Sequence, residues 1–210
     1  MPLEINEVLK RSPVIPVLVI DDLKDAKPLA QALFKGGLPV LEVTLRSPVA
    51  MDAALEMKQA VPEAIVGLGT ITTPALLEDA LASNLDFGVS PGMSSDLLSH
   101  LRPTKFPFLP GTGTMSEVME LHAAGFDAFK FFPAEASGGT AFLKSVQSVM
   151  PHVAFCPTGG INADNASAYL AIDIVKAVGG SWIAPPDLVR ANDWPEIEAR
   201  ARLASKLGAA

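Results

Sequence analysis

The segment "LPVLEVTLRSPVAMDAALEMKQAVPEAIVGLGT", residues 38–70, contains the unit from which the fold can be predicted. It begins with a short apolar run, 38–45, continues with apolar residues at helical spacing, and ends in a second apolar run, 64–70. Ser47 is placed to cap the helix, with Pro48 at its first position. A strand, a helix and a second strand in this order imply parallel pairing through a right-handed crossover.

The same unit recurs along the whole chain without a linker-like break. Eight apolar runs are each followed by an amphipathic stretch: 13–20, 38–45, 64–70, 85–92, 106–114, 126–135, 152–160 and 173–182. The sequence therefore predicts an α/β protein, a (β/α)₈ TIM barrel that forms a single domain over residues 1–210. Residues 3–11 are predicted as an extra helix on the N-terminal face. The alternative is an open doubly wound sheet, but that fold would show one dominant glycine fingerprint, whereas here glycines end nearly every strand.

Composition excludes several classes of function. Of the 210 residues, 49% are hydrophobic and 19% are charged, which suits a large core and not a disordered chain. The net charge is −7 and no basic cluster occurs, which argues against a nucleic-acid partner. The early apolar run is too short to span a bilayer, and the lone Cys156 favours a reducing cytoplasm. No metal is expected, since the histidines form no ligand-spaced pair: His100, His122 and His152.

Lys130 lies in the apolar run "AFKFF", between Phe129 and Phe131. A lysine at a strand edge usually reaches solvent or forms a structural ion pair. In a barrel, however, it would share the inner side of its strand with Ala128 and Phe132, near the rim where barrel active sites form. Burial there disfavours the ammonium form and frees the lone pair that a Schiff-base lysine needs. We interpret Lys130 as a nucleophile.

Three other polar residues of the apolar runs bear on this interpretation. Lys176, in "IDIVKAVGG", lies deeper in its strand, and we expect it to face out between helices or to start the strand. Glu42 and Arg46, in "LEVTLR", point to the same side of their strand. Glu42 could balance the charge of Lys130 or transfer protons as general base and acid. Arg46 could be a surface residue or could bind a substrate carboxylate with its planar guanidinium.

Two glycine pairs close the last two predicted strands. Gly159 and Gly160 end "CPTGG", and Gly179 and Gly180 precede Ser181 in "VGGSW". Either pair alone commonly marks a turn. Together, on strands seven and eight, they match the position where barrels bind phosphate with backbone amides and a helix N-terminus.

Six motifs, "LEVTLRS", "VGLGT", "VSPG", "FKFFPAE", "FCPTGGI" and "GGSW", resemble in order and spacing those of the 2-keto-3-deoxy-6-phosphogluconate (KDPG) aldolases. That family includes 4-hydroxy-2-oxoglutarate (KHG) aldolases, and the resemblance runs from about residue 8 to residue 205. It implies a homotrimeric (β/α)₈ barrel and a class I aldolase of the Entner–Doudoroff pathway. It also implies that no cofactor or metal is used beyond the covalent Schiff base.

By motif, the resemblance implies a role for each of ten residues. Lys130 would form the Schiff base, and Glu42 would be the acid–base residue. The substrate carboxylate would be held by Arg46 and Thr70. The pocket would be lined by Pro91, Phe132 and Thr158, and the phosphate would be held by Gly159, Gly160 and Ser181. One loop departs from the family, because "PGTGT", residues 110–114, stands where members commonly have "PGIST".

The mechanism that the resemblance implies uses the amine as an electron sink. Breaking the C3–C4 bond of a 2-keto acid leaves electrons on C3, and an iminium between Lys130 and C2 accepts them. Two other functions stay open. A phosphosugar isomerase or synthase would share the phosphate loops but would not need the amine. A non-catalytic binder of phosphorylated metabolites would need neither the amine nor Glu42.

Overall fold

The computed structural model describes residues 3–208, in which strands and helices alternate. The strands are β1 (Val14–Leu18), β2 (Val40–Thr44), β3 (Ile65–Gly69), β4 (Phe87–Val89), β5 (Phe108–Leu109), β6 (Gly111–Thr112), β7 (Ala128–Phe131), β8 (Ala154–Pro157) and β9 (Val178–Gly180). The helices are α1 (Ile5–Lys10), α2 (Ala26–Lys35), α3 (Ala50–Ala60), α4 (Pro74–Ala82), α5 (Ser95–Leu101), α6 (Met115–Ala123), α7 (Gly139–Val149), α8 (Ala166–Leu170), α9 (Pro186–Arg190) and α10 (Trp194–Ala204). Within residues 3–208, none of these helices is both long enough and apolar enough to cross a membrane.

The strands pair in parallel and form two sheets. The larger sheet has six strands in the order β5-β4-β3-β2-β1-β9, and the smaller sheet has the order β6-β7-β8. A helix lies between each pair of successive strands except β5 and β6, as parallel pairing requires. The protein therefore has an α/β fold built on a parallel half-barrel sheet, and the prediction of parallel strand–helix units is confirmed.

Pro110 divides the fifth predicted strand, 106–114, into β5 and β6. Proline has no backbone N–H and cannot donate to a neighbouring strand. Leu109, on one side of it, is in register with Val89 of β4, whereas Gly111, on the other side, is in register with β7. The prediction of one continuous strand was wrong at this proline, and the two halves belong to different sheets.

Two clusters of buried side chains lie on opposite sides of the strands. The phenylalanines of β7 belong to the outer cluster, which packs against the helices. Ala128 belongs to the inner cluster, together with Val8 and Leu9 of α1. Because alternate residues of a strand point to opposite faces, Lys130 shares the inner side with Ala128, as the sequence predicted.

The start of α3 differs from the prediction. The helix begins at Ala50 with Val49 as its N-cap residue, rather than at Pro48 with Ser47 as the cap. The Ser47 hydroxyl instead donates a hydrogen bond to the carbonyl of Ile20, in the loop after β1. A contact with another loop has therefore taken the side chain that the local pattern assigned to capping.

Candidate active site

Lys130 and Glu42 meet although they are 88 residues apart in the chain. The Lys130 Nζ atom of β7 donates a hydrogen bond of 3.0 Å to Glu42 Oε1 of β2. Their side chains are only 7% and 4% exposed. Gly69 of the neighbouring strand β3 leaves room for this pair, because a Cβ atom there would overlap the Glu42 carboxylate. Removing two charges from water costs several kcal/mol for each ion, by order of magnitude, so such a pair is poor support for stability.

Apolar groups surround the amine. The Phe132 ring centroid lies 5.6 Å from Lys130 Nζ, within the range of a cation–π contact. Cys156 is in register with Lys130 on the adjacent strand β8 and is buried. Burial, and then the charge of Glu42, raises the pKa of the Cys156 thiol to about 12. Cys156 is therefore protonated at neutral pH and acts as a small buried apolar residue, as predicted.

Thr158 directly follows β8, and its hydroxyl is buried. Within residues 3–208, Oγ1 has no hydrogen-bond partner. Gly179 forms a parallel bridge with Thr158 and leaves space for its side chain, because a Cβ atom there would overlap the hydroxyl. A buried polar group without a partner costs roughly 1–3 kcal/mol, so a ligand that bonded to this hydroxyl would offset that cost.

Arg46 lies at the exposed end of β2 and is tied to the buried Thr44. Its Nε donates a hydrogen bond of 3.0 Å to Thr44 Oγ1, and that hydroxyl donates one of 2.7 Å to the Leu18 carbonyl. The guanidinium is therefore held at the carboxyl end of the strand that carries Glu42.

Thr70 and Pro91 follow the carboxyl ends of β3 and β4. Thr70 has a φ of 65°, which is uncommon for a β-branched residue and is characteristic of functional sites. Pro91 lies against Gly111, where a Cβ atom would overlap the Pro91 backbone. Both residues therefore lie on the side of the strands that carries Arg46 and Thr158.

The predicted phosphate residues follow the last two strands. Gly159 and Gly160, after β8, have φ values of 101° and 79°, which glycine adopts without strain. Ser181 follows β9 and is exposed. All ten predicted site residues thus lie within strands or within three residues of their carboxyl ends.

The loop that departs from the family resemblance lies next to the backbone of Lys130. Thr112 is buried, and its Oγ1 lies 3.4 Å from the carbonyl of Lys130. The N–H of Gly113 donates to Glu117 Oε2 at 2.8 Å. The two substituted positions therefore join the lysine-bearing strand to the start of α6.

Lys176 takes no part in this arrangement. It is exposed and lies before β9, whose observed range is shorter than the predicted run 173–182. Its Nζ donates to the Asp173 carbonyl at 2.6 Å. As expected, this lysine faces away from Lys130 and Glu42.

The structure brings together side chains that the sequence did not connect. His122 and His152 have their Nε2 atoms 3.3 Å apart, although their spacing in the chain gave no sign of a pair. Within residues 3–208, no group of three potential metal ligands is found. Sequence reasoning also missed Glu135, Asn165 and Tyr169, which lie behind the Gly159–Gly160 segment. Only the position of Glu135 in "FKFFPAE" hinted at them.

Comparisons with known proteins identify relatives of the chain. The family model for KDPG and KHG aldolase matches residues 5–200. The 2-dehydro-3-deoxy-phosphogluconate aldolase of Pseudoalteromonas atlantica is 46% identical over 199 residues, which cover 95% of this chain and 93% of that protein. The KHG/KDPG aldolase of Escherichia coli is 43% identical over 197 residues, which cover 94% of this chain and 92% of that protein.

A solved structure extends the comparison to the fold. It is a crystal structure of KDPG aldolase from Legionella pneumophila with pyruvate captured at low pH as a covalent carbinolamine intermediate. It matches with a TM-score of 0.94 and 44% identity, covering 97% of this chain and 98% of that one. On the family match and these identities, the chain belongs to the KDPG and KHG aldolase family.

Proposed function

We propose that this protein is a class I aldolase that cleaves KDPG to pyruvate and glyceraldehyde 3-phosphate through a Schiff base on Lys130. The observation that carries the proposal is the buried Lys130 amine, 3.0 Å from the Glu42 carboxylate, in a chain of this family. The Legionella relative holds pyruvate as a covalent carbinolamine, and forming one requires an amine nucleophile.

Lys130 supplies the nucleophile and then the electron sink. Its neutral amine adds to the C2 carbonyl, and loss of water from the carbinolamine gives an iminium. The C3–C4 bond then breaks, and its electron pair moves toward the iminium nitrogen to form an enamine. Hydrolysis after protonation at C3 releases pyruvate and regenerates the amine.

Glu42 supplies the proton transfers. Its carboxylate takes the proton of the C4 hydroxyl as the aldehyde forms, directly or through a water. The same group returns a proton to C3 of the enamine. The support is its position 3.0 Å from Lys130 Nζ, which places the carboxylate beside the atom that would hold the substrate.

The remaining site residues bind and orient the substrate. Arg46 and Thr70 hold the carboxylate, and Pro91, Phe132 and Thr158 line the pocket. Gly159, Gly160 and Ser181 hold the phosphate. The unpartnered hydroxyl of Thr158 and the position of all ten residues toward the carboxyl ends of the strands support these roles.

The sheets are proposed to close into one (β/α)₈ barrel, which would make residues 1–210 a single domain with α1 across its amino end. Only Pro110 separates β5 from β6, so the chain passes directly from one sheet to the other on that side. On the other side, the Thr158–Gly179 bridge joins β8 to β9. Val8 and Leu9 of α1 are buried with the inner cluster. We also propose a cytoplasmic homotrimer that needs no cofactor or metal, which light scattering and assays after chelation would test.

A second activity, cleavage of 4-hydroxy-2-oxoglutarate to pyruvate and glyoxylate, is suggested by one relative. The Escherichia coli protein at 43% identity is a KHG/KDPG aldolase. The two substrates share the 2-keto acid end, but only KDPG carries a phosphate at its other end. Comparing kcat/KM for both substrates decides which one the site favours.

Borohydride reduction in the presence of pyruvate tests the proposal. We expect a reduced three-carbon adduct on the peptide that contains Lys130, located by peptide mass mapping. The variant Lys176→Ala is the matched control and should be labelled as the wild type is. An isomerase or synthase would form no adduct, a non-catalytic binder would not turn over KDPG, and an adduct on Lys176 would overturn the assignment.

A further inference from the structure

Each of the three carbonyl oxygens of the segment Thr158–Gly160 accepts a hydrogen bond. The Thr158 oxygen accepts a hydrogen bond of 2.8 Å from the Ala134 N–H, and the Gly159 oxygen accepts one of 3.1 Å from the Glu135 N–H. The Gly160 oxygen accepts one of 3.1 Å from Asn165 Nδ2. The carbonyl of each residue in this segment is therefore fixed by a donor of its own.

Fixing the carbonyls also fixes the N–H groups. A trans peptide unit is planar, and its N–H points opposite to its C=O. The carbonyls of Thr158, Gly159 and Gly160 share their planes with the N–H groups of the next residues, Gly159, Gly160 and Ile161. These three N–H groups consequently point away from the donors that hold the segment, in a direction that suits a bound anion.

Asn165 is itself held at both ends of its amide. Its Oδ1 accepts the Asn162 N–H at 2.9 Å, while the Asn162 side chain accepts the Asn165 N–H at 3.3 Å. The bond to Gly160 needs the Nδ2 donor, which an aspartate lacks. An Asn165→Asp change would therefore retain the acceptor and the shape, would lose the donor that holds the Gly160 carbonyl, and would add one negative charge near the segment.

Tyr169 holds the other donor residue. Its hydroxyl, on the almost fully buried side chain, donates a short hydrogen bond to Glu135 Oε1. Burial first, and then Glu135, raises the pKa of Tyr169 above its usual value, so the hydroxyl stays a donor at neutral pH. The Glu135 side chain in turn lies against Gly160, where a Cβ atom would come within 2.6 Å of its Cγ.

From these contacts we propose that Asn165 and Tyr169 are positioning residues, which aim the N–H groups of Gly159, Gly160 and Ile161 at the phosphate of the substrate. Tyr169 acts through Glu135, and Asn165 acts on Gly160 directly. The inference rests on the proposed function for the identity of the substrate. It adds that affinity for the phosphate depends on two side chains that do not touch it.

The test separates the phosphate end from the reacting end. KM and kcat are measured for KDPG and for 2-keto-3-deoxygluconate, which lacks the phosphate, in Tyr169→Phe, in Asn165→Asp and in the uncharged Asn165→Leu. A fall in Asn165→Asp without one in Asn165→Leu would be the effect of the added charge and would remove Asn165 from the proposal. We expect kcat/KM for KDPG to fall roughly 3- to 30-fold, mainly through KM, because each variant loses one hydrogen bond that orients the N–H groups of the anion site. The value for 2-keto-3-deoxygluconate and the trapping of pyruvate should stay unchanged. The control Asn192→Asp, at an exposed residue whose Nδ2 lies 3.5 Å from the Arg190 carbonyl, should match the wild type.

Other outcomes overturn the proposal. An equal fall for both substrates would give the two residues a general structural role, and unchanged kinetics would remove them from phosphate binding. Binding of glycerol 3-phosphate, a non-reacting phosphomonoester, is measured by NMR titration in the same variants and should weaken in parallel. That measurement does not require turnover. If the wild type cleaved no KDPG, the proposed function would fail, while the titration would still decide whether the two residues position an anion site.

Discussion

Two lysine–carboxylate pairs lie at different depths of the molecule and differ in what surrounds them. Lys58 of α3 donates to Asp86 Oδ2 at 2.8 Å, with side chains that are 31% and 24% exposed. Lys58 Nζ also donates to the Ala64 carbonyl at 2.7 Å, and Asp86 Oδ2 also accepts the Val66 N–H at 2.8 Å. This pair therefore fastens the amino end of β3 to the residue that precedes β4.

The Lys130–Glu42 pair has the opposite character. It is almost fully buried, and within residues 3–208 each side chain makes its one hydrogen bond to the other. An ammonium group has three donors and a carboxylate can accept several bonds, so most of this capacity is left over. The Lys58–Asp86 pair also hydrogen-bonds to the backbone and so stabilises the fold. The buried Lys130–Glu42 pair has donors and acceptors left that can bond to a substrate.

Replacing each lysine by methionine is the strongest test of this contrast. Lys130→Met removes the nucleophile, so we expect both KDPG cleavage and pyruvate trapping to fall below detection. Lys58→Met should keep kcat within about twofold but lower the free energy of unfolding by about 1 kcal/mol, since Asp86 keeps the Val66 N–H but loses its charged partner. Steady-state assays and urea unfolding measure the two effects. Measurable trapping in Lys130→Met, or lost activity in a folded Lys58→Met, would break the distinction.

Glu42→Gln tests whether the carboxylate moves protons or only balances charge. The amide retains the shape and an acceptor oxygen but cannot take a proton from the C4 hydroxyl. We expect turnover to fall roughly 10²- to 10⁴-fold, while some adduct with pyruvate can still be trapped. Exchange of the pyruvate methyl protons with solvent, followed by NMR, should fall alongside turnover. Normal exchange would remove Glu42 from the proton path, and complete loss of trapping in a folded protein would return it to charge balance.

Thr158→Val tests the same contrast, between groups that stabilise the fold and groups that bind substrate, at an uncharged hydroxyl. Among residues 3–208 the buried hydroxyl has no hydrogen-bond partner, so replacing it by a methyl group should leave the free energy of unfolding unchanged or slightly increased. Cleavage of KDPG should nevertheless fall roughly tenfold, because one hydrogen bond to the substrate is worth about 1 kcal/mol or slightly more. Thermal unfolding and kcat/KM are measured on the same sample. A clear loss of stability would show that the hydroxyl serves the fold.

The sequence predicted the buried residues Lys130 and Glu42 better than the residues that hold the loops of the site, Asn165 and Tyr169. The alternation of side chains along a strand placed Lys130 on the inner side. The recurrence of apolar runs and helices predicted parallel strands, which bring the strands of Lys130 and Glu42 into one fold. Asn165 and Tyr169 were missed because their contacts join loops after β7 and β8 to α8, which no local pattern records. The predicted cap at Ser47 failed for the same reason, since its partner, Ile20, lies 27 residues away.

Glu117, like Asp86, is a carboxylate that accepts hydrogen bonds from the backbone. Its Oε2 accepts the N–H groups of Gly113 and Thr114, each at 2.8 Å, and the Thr114 hydroxyl at 2.9 Å. The hydrogen bond from the Gly113 N–H is the main cause that holds the pKa of Glu117 below its ordinary value, and burial opposes it. The carboxylate is thus ionised more readily in the folded protein than in the unfolded chain.

The sign of the pH effect follows from this depressed pKa. The contribution of Glu117 to stability is fully present above the unfolded value and is lost as the pH falls through the folded value. Glu117→Gln cannot titrate, so its loss of thermal stability between neutral pH and the acid range below 4.5 should be smaller than that of the wild type. At neutral pH the variant should be slightly less stable, because the neutral amide accepts more weakly from two N–H groups. Glu120→Gln, one turn along α6, is the matched control and should follow the wild-type pH profile. Parallel profiles for the wild type and Glu117→Gln would show that these bonds do not stabilise the charged carboxylate. Backbone hydrogen bonds to a carboxylate would then stabilise the fold at Asp86 but not at the loop that carries Gly113.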